Sequence, residues 1–193
     1  MNAISEMITQ RISGAAAGQL AQRLGVSEST AQTAVQLAVP LILAALARNA
    51  AQPQGAQELH QAVASDHDGS ILDQLSSYLA NPQAANGSGI LGHVLGGQRP
   101  AVESNLAQAT GLDQNSAGTL LEMVAPLVMG AVGRQQQQNG LDPDGLSQLL
   151  AQEQQAEAAN NPGLMGTLSS MLDSNRDGNV ADDLSRMAGG FFK

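Results

Sequence analysis

The sequence of 193 residues contains no cysteine, which excludes disulfide bonds, thiolate metal sites and cysteine nucleophiles. It also lacks tryptophan, and aromatic residues make up only 2% of the chain. A core without large rings has to be built from smaller apolar side chains. Leu and Ala, which are abundant here, are also strong helix formers. The composition therefore favours closely packed helices.

Positive charge is scarce as well, because 8 Lys and Arg face 17 Asp and Glu and leave a net charge of −9. Nucleic acids and anionic membranes draw affinity from clustered cations, so we expect neither as a partner. The longest apolar run, residues 37–47, is about half of the ~20 residues that span a bilayer, and no secretory signal is visible. We expect a soluble protein, cytoplasmic by default, with signal-less export left open.

The two halves of the sequence resemble each other. When the chain is shifted by 86 positions, residues 4–48 align without a gap on residues 90–134. The clearest identities pair a leucine, a glycine, a proline and an arginine: Leu20 with Leu106, Gly25 with Gly111, Pro40 with Pro126, and Arg48 with Arg134. This self-similarity predicts an internal duplication in which both halves have the same fold.

A second pair of segments extends the similarity. "DHDGSILDQL" (66–75) aligns with "NRDGNVADDL" (175–184), at an offset of 109. The extra length of the second half falls in the polar stretches "QQQQNG" and "EQQAEAANNPG", within a Gln-rich insertion (135–163) that we expect to be flexible. The boundary lies in "NPQAANGSG" (81–89), which predicts a first repeat at 1–86 and a second at 87–193.

We predict an all-α fold of tandem duplicated units with about five helices each, since alternating strand patterns are absent. Ser27 and Asp113 are placed to cap the long apolar helix of each half. Pro40 and Pro126 lie within these helices and predict a bend or break, because proline inside a helix removes a hydrogen bond. The simplest arrangement packs these two helices against each other.

The segment "DSNRDGNVADDL" (173–184) resembles an EF-hand calcium loop. Such a loop needs oxygen ligands at its first, third and fifth positions, glycine at the sixth, a carbonyl at the seventh and a late carboxylate. The twelfth position, usually Glu, is Leu184, so Asp182 is the first choice for the closing carboxylate and Asp183 the second. The predicted calcium ligands are Asp173, Asn175, Asp177, Asn179 and Asp182 or Asp183.

A turn followed by a capped helix is the alternative for this segment. Asn179 could cap that helix, with Asp182 reaching back to the cap. The first copy of the segment keeps Asp68 and Asp73 but has Ala64 where the first ligand should lie, so the cap alone is expected to explain it. Calcium binding is therefore predicted for the second copy, with an affinity around ~10⁻⁴ M because a bidentate ligand is not assured.

Other signals are weaker. "AQRLGVSESTAQTAV" resembles a helix-turn-helix, yet its second helix would offer Glu28, Ser29, Thr30 and Gln32 and no cation before Arg48. His60 and His67 could bind a transition metal, although surface or capping roles are favoured for both. No nucleophile, base and orienting group come together, so no enzyme activity is expected.

The stretch "GSGILGHVLGGQRPAVESNLAQATGLDQNSAGTLLEMVAPLVMGAVGR", with "GLMGTLSSMLDSNRDGNVADDLSRMAGG", is similar to the bacterial YidB-like family, a domain of unknown function. The resemblance extends over nearly the whole chain and is strongest from Ile90 onward. It implies an all-helical fold with duplicated units and no established enzyme activity. The Gln-rich insertion after Arg134 departs from the compact halves.

Together these observations predict a non-enzymatic interaction or assembly protein whose last helix pair is ordered by calcium, with a protein partner or a second copy of itself. Self-assembly without a functional metal is the alternative, indicated by the apolar repeated helices and by Phe191 and Phe192 near the carboxyl terminus. DNA binding through the helix-turn-helix-like segment is the weaker alternative.

Overall fold

A computed structural model describes residues 3–160. In this part of the chain all regular secondary structure is helical, and turns and loops connect the helices. The predicted all-α class is confirmed for these residues. Short 3₁₀ turns occupy Ser70–Leu72, Pro82–Ala85 and Gly96–Gln98. The α-helices are α1 Ala3–Arg11, α2 Ala15–Leu24, α3 Glu28–Ala50, α4 Pro53–Asp66, α5 Leu75–Ala80, α6 Gly87–Leu95, α7 Arg99–Thr110, α8 Gln114–Asn139 and α9 Pro143–Asn160.

The two longest helices begin in the same way. Before α3, the Ser27 hydroxyl accepts a hydrogen bond from the backbone N–H of Thr30 at 3.1 Å. Before α8, Asp113 accepts one from the backbone N–H of Ser116 at 3.0 Å. Each cap satisfies one of the free donors at a helix start, and both predicted caps are confirmed.

The sequence predicted a bend or a break at each proline, and the structure shows no break, because both long helices continue through their prolines. Pro40 lies inside α3 and Pro126 inside α8, and both prolines are buried. Proline in a helix interior costs ~3 kcal/mol or more. Apolar side chains on the following turn are almost fully buried in each case, which offsets that cost: Leu41, Ile42, Leu43, Leu127 and Val128.

The core is shared by the two halves of the sequence. α3 packs against α8, as predicted, and also against α9. α4 contacts both α8 and α9, and α1 contacts α8. The buried apolar residues form one continuous cluster drawn from both halves. Residues on both sides of the predicted boundary at 86/87 therefore contribute to one core in the described part of the chain.

α3 and α8 are long and apolar enough to cross a membrane by length and composition alone. The core helices of soluble proteins pass the same test. In α3, 72% of the apolar window is buried within the protein, and in α8 83% is buried. Most of their apolar surface is buried against other parts of the protein, and this burial accounts for the apolar composition of α3 and α8.

The Gln-rich insertion, for which the sequence predicted flexible stretches, is largely helical over the residues that the structure describes, 135–160. Residues 135–139 extend α8, and α9 contains most of the second polar stretch. Leu146 and Leu150 are 0% exposed and lie one turn apart on the face of α9 that joins the core. Glutamine is a good helix former, so the polar stretch can form a helix. Leu146 and Leu150 then anchor that helix to the core.

Candidate functional site

The first Asp-Gly loop, residues 66–73, connects α4 to α5. Gly69 has φ 87°, a left-handed conformation that glycine adopts without the strain of other residues. The Asp68 Oδ1 accepts a hydrogen bond from the backbone N–H of Ser70 at 2.9 Å. Hydrogen bonds from Ser70 hold the pKa of the Asp68 carboxyl below its usual value. The Asp68 turn agrees with the cap expected for this segment, but a cap alone does not explain Asp73, whose carboxylate contacts residues outside the loop.

Two arginines fix the loop to the rest of the fold. Arg134 of α8 donates from Nη2 to the Gly69 carbonyl at 2.7 Å and to the Asp73 carboxylate. Arg11 of α1 donates from Nη1 to the Leu72 carbonyl at 2.9 Å and to the other Asp73 oxygen at 3.3 Å. Hydrogen bonding from Arg134, followed by the charges of both arginines, keeps the pKa of the Asp73 carboxyl below its usual value.

Glycines on α8 allow the loop to lie directly on the helix. A Cβ added at Gly130 would lie 2.6 Å from Cγ2 of Ile71. A Cβ added at Gly133 would overlap the carbonyl oxygen of His67. Loop and helix thus meet backbone to backbone, and Arg134 borders the contact.

A cavity of about 330 Å³ opens beside this loop. His67 is half-buried in its wall, and burial lowers the pKa of the imidazole against an opposing effect from the charge of Asp66. The remaining lining consists of small apolar, glycine and polar residues: Asp66, Asp68, Gly69, Ser70, Ile71, Ala84, Ala85, Asn86 and Ile90. Asn86 has φ 49°, so the chain turns sharply at the cavity edge just before α6.

The histidines have separate environments. His60 Nε2 lies 3.0 Å from the carbonyl oxygen of Leu141, within hydrogen-bond distance, whereas His67 lines the cavity. Within residues 3–160, no group of three or more His, Asp and Glu side chains is placed to hold a metal ion. The predicted calcium ligands lie outside the described residues: Asp173, Asn175, Asp177, Asn179, Asp182 and Asp183.

Polar residues of the helix-turn-helix-like segment serve the start of α3. The hydroxyls of Ser29 and Thr30 lie 2.9 and 2.8 Å from the Ser27 hydroxyl. The first cation along α3 is Arg48, whose Nη1 donates to Oε1 of Gln98 at 2.8 Å. These hydrogen bonds place Ser29 and Thr30 in the cap of α3.

Sequence reasoning missed Glu153, a buried carboxylate on α9. Its Oε1 accepts from the backbone N–H of Ala3 at 3.0 Å, and its Oε2 accepts from that of Ile4 at 3.2 Å. Glu153, in α9, thus caps the start of α1. Burial raises the pKa of its carboxyl, and the two backbone hydrogen bonds oppose that effect. No local pattern could have revealed this contact, because about 150 residues separate the partners.

The family model described as a bacterial protein of unknown function (DUF937) matches residues 6–135, well over half of the chain. The match begins in α1 and ends within α8, so it includes the Asp-Gly loop and both arginines that hold it. No curated protein and no solved structure matches the chain significantly.

Proposed function

We propose that this chain, which belongs to the DUF937 family of bacterial proteins of unknown function, is a non-enzymatic, tandemly duplicated helical assembly module whose carboxyl-terminal Asp-Gly segment binds calcium. The ligand spacing from Asp173 to Asp183 carries the proposal. We expect its partner to be another protein or a second copy of the chain, and its compartment to be the cytoplasm.

The duplication is supported by the matched features of the two long helices. α3 and α8 each follow a left-handed glycine, begin at a capped turn, contain a buried proline and have an arginine eight residues after that proline. Independent helices have no reason to share all four features at a constant offset of 86 residues. The Asp-Gly segments 66–75 and 175–184 are then counterparts.

The charge balance of the two Asp-Gly segments supports calcium. In the first copy, Asp73 is neutralised by Arg11 and Arg134. The second copy has four carboxylates where the first has three, since Asp173 and Asp183 replace Ala64 and Gln74 while Asn175 replaces Asp66. Carboxylates crowded at alternate positions repel one another, and a divalent cation relieves that repulsion. Calcium would thereby stabilise the segment that follows α9.

Calcium titrated into metal-free protein is expected to release or absorb heat with a Kd near ~10⁻⁴ M. At ~1 mM calcium, such binding would stabilise the fold by about 1.4 kcal/mol and raise the melting temperature. Asp177→Asn should weaken binding at least ~10-fold, because it removes a charged ligand. The matched substitution in the first copy, Asp68→Asn, should leave the binding heat unchanged. No heat and no thermal shift at millimolar calcium would rule the proposal out.

Self-assembly without a metal is the second candidate. Its support is the sequence "MAGGFFK", which places Phe191 and Phe192 in a chain poor in rings. The apolar surface of α3 is mostly buried within the protein, so this helix does not supply an intermolecular surface. Light scattering on the full chain and on a variant lacking residues 187–193 tests this candidate. It is supported if only the full chain forms oligomers, and a monomer in both forms removes it.

A further inference from the structure

The cavity beside the first Asp-Gly loop has the size of a ligand site and fixed walls. Its volume is about 330 Å³, and pockets that bind small molecules begin at about 300 Å³. One wall is the loop, whose backbone at His67 lies against Gly133 of α8. The other wall includes the start of α6, where a Cβ added at Gly87 would overlap the carbonyl oxygen of Glu122, also in α8. Both walls are thus fixed to the same helix, so a ligand would pay little to order them.

The charges that line the cavity are negative. The lining includes the carboxylates of Asp66 and Asp68 but neither Lys nor Arg. Hydrogen bonds from Ser70 hold the pKa of the Asp68 carboxyl below its usual value, so it is ionised at neutral pH. Burial lowers the pKa of the His67 imidazole below 6.5, so this side chain is mostly neutral at pH 7. The cavity therefore favours a cation over an anion.

Two positive features near the cavity are offset by other groups. Arg134 borders the loop, but its guanidinium pairs with the carboxylate of Asp73. α6 begins at the cavity edge, and the side chain of Asn86 lies beside its first turn, since a Cβ added at Gly89 would lie 2.5 Å from Nδ2 of Asn86. The amide thus lies near the position in which an anion would meet the start of α6.

Asp66 lies at the end of α4 that a negative charge destabilises. The carboxyl end of a helix carries a partial negative charge, which repels a carboxylate. The last turn of α4 contains no basic residue to offset this repulsion. Asp66 is exposed, so its side chain does not contribute to the core. Its charge costs α4 some stability and adds to the negative field of the cavity.

The apolar part of the lining favours an organic ligand over a bare metal ion. Ile71, Ala84, Ala85 and Ile90 offer carbon surface that a carbon chain can cover. Within residues 3–160, no group of three or more His, Asp and Glu side chains is placed to hold a metal ion. The lining thus combines a negative part with an apolar part.

We propose that this cavity binds a small organic ammonium ion, whose charged group lies at Asp66 and Asp68 and whose carbon chain lies against Ile71, Ala85 and Ile90. All of these residues lie within the described part of the chain and within the region that matches the family model. The site is separate from the calcium segment of the proposed function and does not depend on it.

Three six-carbon probes that differ in their head groups test the charge preference: hexylammonium, 1-hexanol and hexanoate. Each is titrated into the full chain in chelator at constant ionic strength, while NMR follows the amide shifts of residues 69–71 and 84–86. Hexylammonium is expected to saturate with a Kd on the order of ~1 mM, as suits a fragment of about seven heavy atoms. 1-Hexanol should bind about 3-fold more weakly, because it lacks the charge, and hexanoate should not saturate.

Asp66→Asn removes one charge from the cavity without removing a core contact. It should weaken hexylammonium binding by about 3-fold and leave 1-hexanol binding unchanged. It should also raise the melting temperature by about 1–3 °C, because it relieves the repulsion at the end of α4. A loss of binding together with a gain in stability separates a binding role from a structural one. Glu58→Gln makes the same change of charge on the exposed surface of α4, about two turns earlier, and should leave the Kd unchanged.

Shifts at the cavity residues that do not saturate would overturn the proposal, as would equal affinities for the three probes or tighter binding of hexanoate. Unchanged hexylammonium binding in Asp66→Asn would overturn it as well. The titrations in chelator are independent of the calcium titration. A protein that binds hexylammonium in the cavity but gives no calcium heat would retain the cavity site and lose the calcium proposal.

Discussion

Gly133→Ala is expected to lower the free energy of unfolding by about 1–3 kcal/mol, the usual cost of forcing extra atoms into a packed interior. The new Cβ would overlap the carbonyl oxygen of His67 and lie 3.3 Å from that of Val63. Both are backbone atoms and cannot rotate away as a side chain would. The loop 66–73 would have to move off α8, which would also weaken the bond from Arg134 to Gly69. Urea unfolding followed by circular dichroism measures the loss.

The matched control is Gly92→Ala in α6. Gly92 is exposed, and a Cβ there meets no atom within 4 Å. Alanine is favoured over glycine inside a helix by about 0.5–1 kcal/mol, so this variant should be more stable than the unmodified protein. Opposite signs for the same substitution would show that the close approach of the loop, and not helix propensity, governs Gly133. A Gly133→Ala protein as stable as the unmodified one would mean that the loop does not lie on α8.

The features that the sequence predicted correctly are formed by residues close to one another in the sequence. The caps at Ser27 and Asp113 follow from short polar side chains placed just before an apolar run, so local pattern was sufficient. The continuity of the helices at Pro40 and Pro126 depends instead on how much apolar surface their neighbours bury. A single sequence does not reveal that burial, and the cost of proline inside a helix led to the prediction of a bend or break.

The contacts of the candidate site join distant parts of the chain. Asp73 meets Arg11, 62 positions earlier, and Arg134, 61 positions later. The similarity of the two halves aligns Arg134 with Arg48, yet nothing in the sequence indicated which carboxylate faces Arg134. The structure supplies that pairing for one arginine.

The packing of the two long helices also explains how the described part of the chain forms a core with few aromatic residues. α3 and α8 pack against each other through small and medium side chains, many of them Ala, Val and Leu. Small side chains let helices approach closely, and a close approach buries much surface without large rings. Among the described residues, the largest buried ring belongs to Tyr78, whose hydroxyl donates to the carbonyl of Met123 at 2.7 Å. Its hydroxyl is thereby satisfied inside the core.

Glu153→Leu is expected to destabilise the protein by about 1–3 kcal/mol, because it leaves the backbone donors of Ala3 and Ile4 without acceptors. Glu153 is 4% exposed, so water can replace the carboxylate only in part. The loss should fall on the contact between α1 and α9, and amide hydrogen exchange should accelerate most at the start of α1. Glu58→Gln, on the exposed surface of α4, is the control and should change the stability by less than about 0.5 kcal/mol.

Glu153→Gln keeps the size of the capping side chain but removes its ability to ionise. Burial raises the pKa of the Glu153 carboxyl, and the charge of Glu157 acts in the same direction. The folded protein therefore binds a proton more readily than the unfolded chain does. The stabilisation from this proton is complete below the ordinary value of 4.5 and is lost as the pH rises through the higher pKa of the folded state. The unmodified protein should thus gain stability relative to Glu153→Gln as the pH falls from about 7 to about 4.

Urea unfolding of both proteins across this range measures the difference. A constant difference, or one that moves the other way, would show that the carboxylate is not held in a desolvated site.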